Sequence, residues 1–301
     1  MNTLKNRYLS LDVFRGMDVA LMIIVNSPGN GDTSFGILKH AEWNGFTLTD
    51  LVFPTFLFVV GNAMSFSMKK YEAIGDGAFL KKVFKRFSII FLLGFLMYWF
   101  PFFENGALKP IAETRIFGVL QRIALCYLFA SLILHYFKTK TVVIFSILAL
   151  IGYNILLVAF GDLTLMGNAV IKLDEFLIGA NHMYHGNGGV TFDPEGLLST
   201  LPAIVNVIAG YLTGKFIQKN GQNFETIAKL LMVAAILVVA GFAWDLIMPF
   251  NKKLWSSSFV LLTSGIDLFI IAILIYLLDM RKPGKWTYFF EIFGRNTLFI
   301  Y

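Results

Sequence analysis

Nine apolar runs alternate with short polar breaks along this chain, near 11–27, 46–68, 84–103, 115–136, 141–160, 197–217, 227–248, 255–279 and 287–301. A helix needs roughly 20 apolar residues to cross a bilayer core of about 30 Å. The pattern therefore predicts an all-α, polytopic transmembrane helix bundle of about nine spans, one domain over 1–301. The first run is interrupted by Asp12, Arg15 and Asp18 and is the least apolar. The last run stops at Tyr301 with neither a cap nor a polar tail, so the natural protein is expected to continue past it. The longest break, 161–196, contains GANHMYHGNGGVTFDPEG. Its Gly, Asn and Asp argue against a strand or a membrane helix, and loops of this length are often functional. Within it, Asp193 reads as a helix cap with Pro194 at the first helical position.

Composition sharpens this picture. The chain is 57% hydrophobic and 15% charged, with 32 Phe, whereas soluble domains are about a quarter charged. The net charge of +6 records orientation better than a nucleic-acid partner. With the N-terminus inside, 16 Lys and Arg fall on the cytoplasmic side and 6 on the other, leaving Arg15, Arg122 and Arg295 in or at the ends of spans. That asymmetry predicts a cytoplasmic N-terminus. Cys126 lies in an apolar run and reads as a small core residue. No cleavable signal peptide is evident, because the first apolar run carries three charges.

The outward loops gather the candidate chemistry. His40, Trp43 and Asn44 precede the second span, Asp50 opens it, and Asn26 ends the first. Should the intervening segment fold back, His40, Asn26 and Asp50 meet at one depth. Neutral imidazole suits proton abstraction near neutral pH, and an Asn amide can polarise a carbonyl. The bland alternative is an interfacial His beside an aromatic-belt Trp. His182 and His185 have H-x-x-H spacing, but no third ligand accompanies them and no metal is expected. His135 reads as interfacial. Arg15 pairs with Asp12 or Asp18 or faces a cavity. Arg115 and Arg122 share a face two turns apart, with Gln121 between, and either pair internally or line a polar tunnel able to hold phosphates. Asp193 and Glu195 are outward carboxylates suited to a cationic or hydroxylated ligand.

In order, LDVFRG (11–16), VNSPG (25–29), KHAEWNG (39–45), TDLVFPTFLFVVG (49–61), GVLQRIALCY (118–127), DPEG (193–196), NKKLW (251–255) and FFEIFGRN (289–296) resemble the heparan-α-glucosaminide N-acetyltransferase family. The resemblance implies a membrane-embedded acyltransferase that takes acetyl-CoA from the cytoplasm and acetylates a sugar amine outside. It implies His40 as the active histidine, base or transient acetyl carrier, with Asn26 beside it. Arg15, Arg115, Gln121 and Arg122 would hold CoA; Trp43, Asn44, Asp50, Asp193 and Glu195 would hold the acceptor. Asp18 is outside the pattern. The implied partners are an amino-sugar or glycan acceptor and membrane lipids, in a bacterial inner membrane, with room for a homodimer. Two other classes stay open: a transporter or flippase of an envelope glycan precursor, and a structural membrane protein.

Overall fold

A computed structural model describes residues 8–27, 29, 35–72, 75–104, 106–186, 189–281 and 284–300. Pro28, Tyr301 and the basic residues Lys5, Arg7 and Lys282 therefore lie outside the described residues, as does much of the 28–45 segment ahead of His40. Among the described residues the regular structure is helical apart from one hairpin of two-residue strands, Phe103–Glu104 with Ala107–Leu108. In chain order the helices are α1 (Leu9–Asn26), α2 (Leu48–Glu72), α3 (Asp76–Trp99), α4 (Val119–Tyr136) and α5 (Thr139–Phe160). There follow α6 (Ala169–Ile178), α7 (Leu197–Asn220), α8 (Phe224–Asp245) and α9 (Ser257–Leu274), the last running into a π-helical turn, Ile275–Met280. Two short helices, α10 (Thr287–Arg295) and α11 (Thr297–Ile300), close it.

Among the described residues, 6 helices are long and apolar enough to cross a membrane: α2, α4, α5, α7, α8 and α9 with its π turn. This corrects the expected nine. The run at 11–27 does form α1, but Asp12, Arg15 and Asp18 dilute it; α3 carries Lys81, Lys82, Lys85 and Arg86 in its first half. The run at 287–301 breaks at Asn296 into α10 and α11, each too short to span. The 161–196 loop also acquires α6, whose N-cap Asn168 accepts the Ile171 N–H. The DPEG turn is not a helix start. Gly196 is the N-cap of α7, and Asp174 of α6 supplies the missing acceptor: its Oδ1 takes the Leu197 N–H at 2.9 Å.

Hydrophobicity cannot choose helix partners inside lipid, because the tails are as apolar as Leu; close contact of small residues and polar bonds must do it. Here α2 and α7 form the centre. A Cβ on Gly61 would stand 1.8 Å from the Val207 carbonyl oxygen, and one on Gly210 would stand 1.8 Å from that of Phe58. The two backbones thus touch reciprocally. Asn206 of α7 then bridges to α9, donating to Thr263 Oγ1 at 3.2 Å and Ser264 Oγ at 3.1 Å while accepting from Trp255 Nε1 at 3.0 Å. Outside this centre α5 and α8 present Ile147, Leu148, Ile155, Ile236 and Val239 outward, a surface suited to lipid. α1 begins beside the end of the π turn, where the Ser10 N–H meets Asp279, and α10 crosses it closely at Gly16 and Gly294.

Two outcomes follow from this packing. Gly210→Ala should force α2 from α7 and lower the thermal midpoint in detergent, at a cost of about 1–3 kcal/mol. Gly152→Ala on α5, where a Cβ meets nothing within 4 Å, should cost nothing. Second, burial raises the Asp174 carboxyl from 3.8 to about 7. Between these values the folded form keeps a proton that the unfolded form has lost, so stability falls as pH rises through that window. Asp174→Asn should flatten the decline in thermal midpoint between pH 5 and pH 8.

Candidate active site

The site begins with a helix cap. Thr47 immediately precedes α2, and Asp50 lies three residues on, a capping-box spacing. Asp50 Oδ2 accepts the Thr47 N–H at 3.1 Å, the Thr47 hydroxyl at 3.0 Å and the Ala41 N–H at 3.2 Å. Its other oxygen, Oδ1, is 2.7 Å from His40 Nδ1. The carboxylate is 1% exposed and the imidazole 48%. An ionised Asp50 favours the tautomer with the proton on Nδ1, which would leave Nε2 able to accept one. Such a pair can serve as a base with its orienting carboxylate in place. Both Asp50 oxygens are engaged by His40, Ala41 and Thr47, and the residue also lines a cavity beside His40.

A second turn, 249–256, locks onto the first. The Gly45 N–H donates to the Phe250 carbonyl at 2.8 Å, at a φ of 121° that favours glycine. Asn251 Nδ2 donates to Asn44 Oδ1 at 3.1 Å, while Asn251 Oδ1 accepts the Leu254 N–H at 2.7 Å. Asn44 is thus a strut between turns. This clasp carries Lys252 to His40, with Nζ 3.2 Å from Nδ1 and 3.3 Å from Nε2. Burial lowers the proton affinity of Lys252, offset only in part by Asp50 and Glu195. Trp255 closes the turn at φ 55°, an uncommon conformation for a large side chain. Its ring is fixed by Asn206, by the edges of Phe53 and Phe259, and by Arg122, whose guanidinium carbon lies 4.9 Å from the ring centre.

Around these groups lies an outer cavity of about 310 Å³, walled by Trp43, Tyr184 and Trp255 and flanked by Arg115, Glu195 and Lys253. Trp43 is fixed by its Nε1 donating to the Leu163 carbonyl at 2.8 Å. Arg115 grips Asp193 with two bonds, 2.9 and 2.7 Å, and Glu195 with one of 2.6 Å, sandwiched between Tyr98 and Tyr184. Burial alone would lower the Arg115 pKa, but Asp193 and Glu195 more than offset it and hold it above its ordinary value. Asp193 is fully buried under this clamp, whereas Glu195 reaches the cavity.

Two further cavities continue inward. A middle one of about 220 Å³ shares His40, Glu195 and Lys252 with the outer one and adds Asn26, Met22 and Thr49. It ends at Phe56 and Ile123, which also wall an inner cavity of about 500 Å³. The inner cavity is apolar along Val60, Met64 and Ile90 and cationic at Arg15, Lys82, Lys85 and Arg86.

Of the four residues expected to hold phosphates, Arg15 lines this inner cavity. Arg115 lies in the loop before α4 and so shares no helix face with Arg122, but both meet residues 193–199: Arg122 is fully buried and donates to the Gly196 carbonyl and to Ser199. Gln121 is fully buried against Gly94 of α3. In place of a polar tunnel along α4 there are cavities whose inner cations come from α1 and α3. Lys82, Lys85 and Arg86 had a signal in the sequence, a basic cluster at helical spacing, but it reads equally as an orientation signal. Lys252 had only its place in a basic-poor outer face. His135 bonds Asp76 at 2.9 Å and stacks on Phe79. His182 Nδ1 meets the Thr114 carbonyl at 2.8 Å and His185 is exposed.

Residues 7–246 match the family described as heparan-alpha-glucosaminide N-acetyltransferase, catalytic. The chain is 29% identical over 358 residues to the heparan-alpha-glucosaminide N-acetyltransferase of Mus musculus, covering 98% of this chain and 53% of that protein. It is 28% identical over 362 residues to the Homo sapiens enzyme of the same name, covering 100% of this chain and 53% of that protein. The chain spans about half the length of the curated relatives it matches.

Proposed function

The chain belongs to the heparan-alpha-glucosaminide N-acetyltransferase catalytic family, membrane N-acetyltransferases that use acetyl-CoA, and from that premise we propose that it acetylates the amine of an extracytoplasmic amino sugar with acetyl-CoA drawn from the cytoplasm. The observation that carries this reading is the His40–Asp50 pair at the outer end of three adjoining cavities. A transporter needs no oriented base at its outer lip.

Acetyl-CoA supplies a thioester carbonyl that an uncharged amine can attack. The residues present suit it. Arg15, Lys82, Lys85 and Arg86 give the inner cavity the cations that phosphates require, and its apolar walls suit an uncharged arm leading outward. Their side is the one on which the chain concentrates its Lys and Arg, the cytoplasmic side by the positive-inside rule. At the other end Glu195 faces a cavity lined by Trp43, Tyr184 and Trp255, flat rings against which a sugar can rest. A carboxylate there attracts a protonated amine. His40 Nε2 takes the proton that the amine must lose, and Asp50 holds the ring in the required tautomer and stabilises the imidazolium. The Asn26 amide, in the same cavity as His40, is the donor assigned to the carbonyl oxygen. Direct transfer needs no further group, and we favour it over an acetyl-histidine route.

Membranes containing the full-length protein should acetylate glucosamine. His40→Ala should lower kcat by about 10²–10⁴-fold, and Asp50→Asn by about 10²-fold or more, the ring tautomer being lost. Full activity in His40→Ala, or glycan translocation without acetylation, would remove the enzyme reading. A KM split separates the two ends: Arg86→Ala should raise the KM for acetyl-CoA about tenfold or more with little change for the acceptor, and Glu195→Gln the reverse.

A further inference from the structure

We propose that Lys252 is itself an acetylation site, its amine taking an acetyl group from acetyl-CoA when the outer cavity holds no acceptor. This inference rests on the transferase reading above and adds to it a reaction of the chain with itself.

The acceptor in that reading must place a primary amine within reach of His40 Nε2, at the junction of the outer and middle cavities. Lys252 puts the chain's own primary amine there. Its Nζ lies 3.3 Å from Nε2 and 3.2 Å from Nδ1, and Lys252 lines both cavities. The position is not accidental to a floppy side chain, because the Gly45–Phe250 and Asn44–Asn251 bonds fix the turn that bears it. The charged groups facing it are Asp50, Glu195, Arg122 and Lys253, with His40 in contact. Burial weakens its hold on a proton, so more of it is the free amine that attacks a thioester than would be so for a solvated lysine. Lys253, the adjacent residue, also borders the outer cavity but not the middle one; it lies 5.9 Å from the centre of the Trp43 ring.

In the step, the Lys252 Nζ lone pair forms the new N–C bond to the thioester carbonyl carbon and the C–S bond breaks. CoA leaves as the thiolate, and the proton lost by nitrogen passes through His40 Nε2 to the departing sulfur, giving the thiol. The product is a neutral amide. It is stable to hydrolysis, removes a cation from beside Asp50 and adds bulk at the junction of the cavities. The modified chain therefore leaves the catalytic cycle, and an acceptor amine that occupies the same place protects it.

The test is peptide fragmentation mass spectrometry of the full-length protein in membranes after incubation with acetyl-CoA, with and without glucosamine. One acetyl group is expected on Lys252, at least about tenfold above that on Lys253, since proximity rather than bulk reactivity selects it. Glucosamine should slow the gain, and Lys252→Arg should show none at this position. Equal acetylation of Lys252 and Lys253, or a gain undiminished by glucosamine that is being turned over, overturns the proposal. Should glucosamine be acetylated in its arm while Lys252 stays bare in the arm without it, the proposal fails alone; should neither gain acetyl, the transferase reading fails with it.

Discussion

The Asp50 carboxylate is the hinge of this structure. It is almost fully buried at the first turn of the central helix α2, where a negative charge is favoured by the helix dipole and by the unpaired N–H groups of the turn. One oxygen satisfies the cap and the Ala41 amide; the other faces His40. The same group therefore sets where α2 begins, how the preceding loop folds back and which ring nitrogen of His40 holds the proton. Loss of its charge would disturb all three together, so folding and chemistry are not separable at this residue.

The remaining architecture holds that carboxylate at a fixed depth. Mutual backbone contact at Gly61 and Gly210 joins α2 to α7, and Asn206 joins α7 to α9 and to Trp255. Trp255 sits in a left-handed backbone conformation that a bulky residue rarely tolerates. Such strain persists only where the surroundings over-determine it, and it is commonest at functional sites. Here the surroundings are a hydrogen bond, two aromatic edges and a buried guanidinium, and the result is a turn that points Lys252 at His40.

The cations divide by task. On α3 they face a cavity large enough to hold part of a ligand, with apolar walls beyond them. On the opposite side Arg115 is spent on Asp193 and Glu195, and Arg122 on the start of α7. These outer arginines shape the loop that walls the cavity beside His40. An arginine in a membrane protein needs a partner or a polar cavity, and Arg15 has both, with Asp12 at 3.2 Å and the inner cavity beside it.

Much of this was legible in the chain itself. Runs of apolar length fixed the class and the long helices, because every backbone amide in lipid must be bonded within its own segment. His40 and Asp50 stood together ahead of one apolar run and Asn26 at the end of another, and Thr47-x-x-Asp50 carried the cap that faces His40. Sequence could not tell α1 and α3 from the more apolar spans by length alone, nor foresee that 287–300 breaks at Asn296. It misassigned Asp193 as a helix cap, since a turn acid is equally able to cap or to pair, and only the approach of Arg115 from 78 positions away decided between them. Lys252 and His40 stand 212 residues apart. Their meeting depends on how two turns clasp across the bundle, and side-chain period within a helix says nothing about distances between helices.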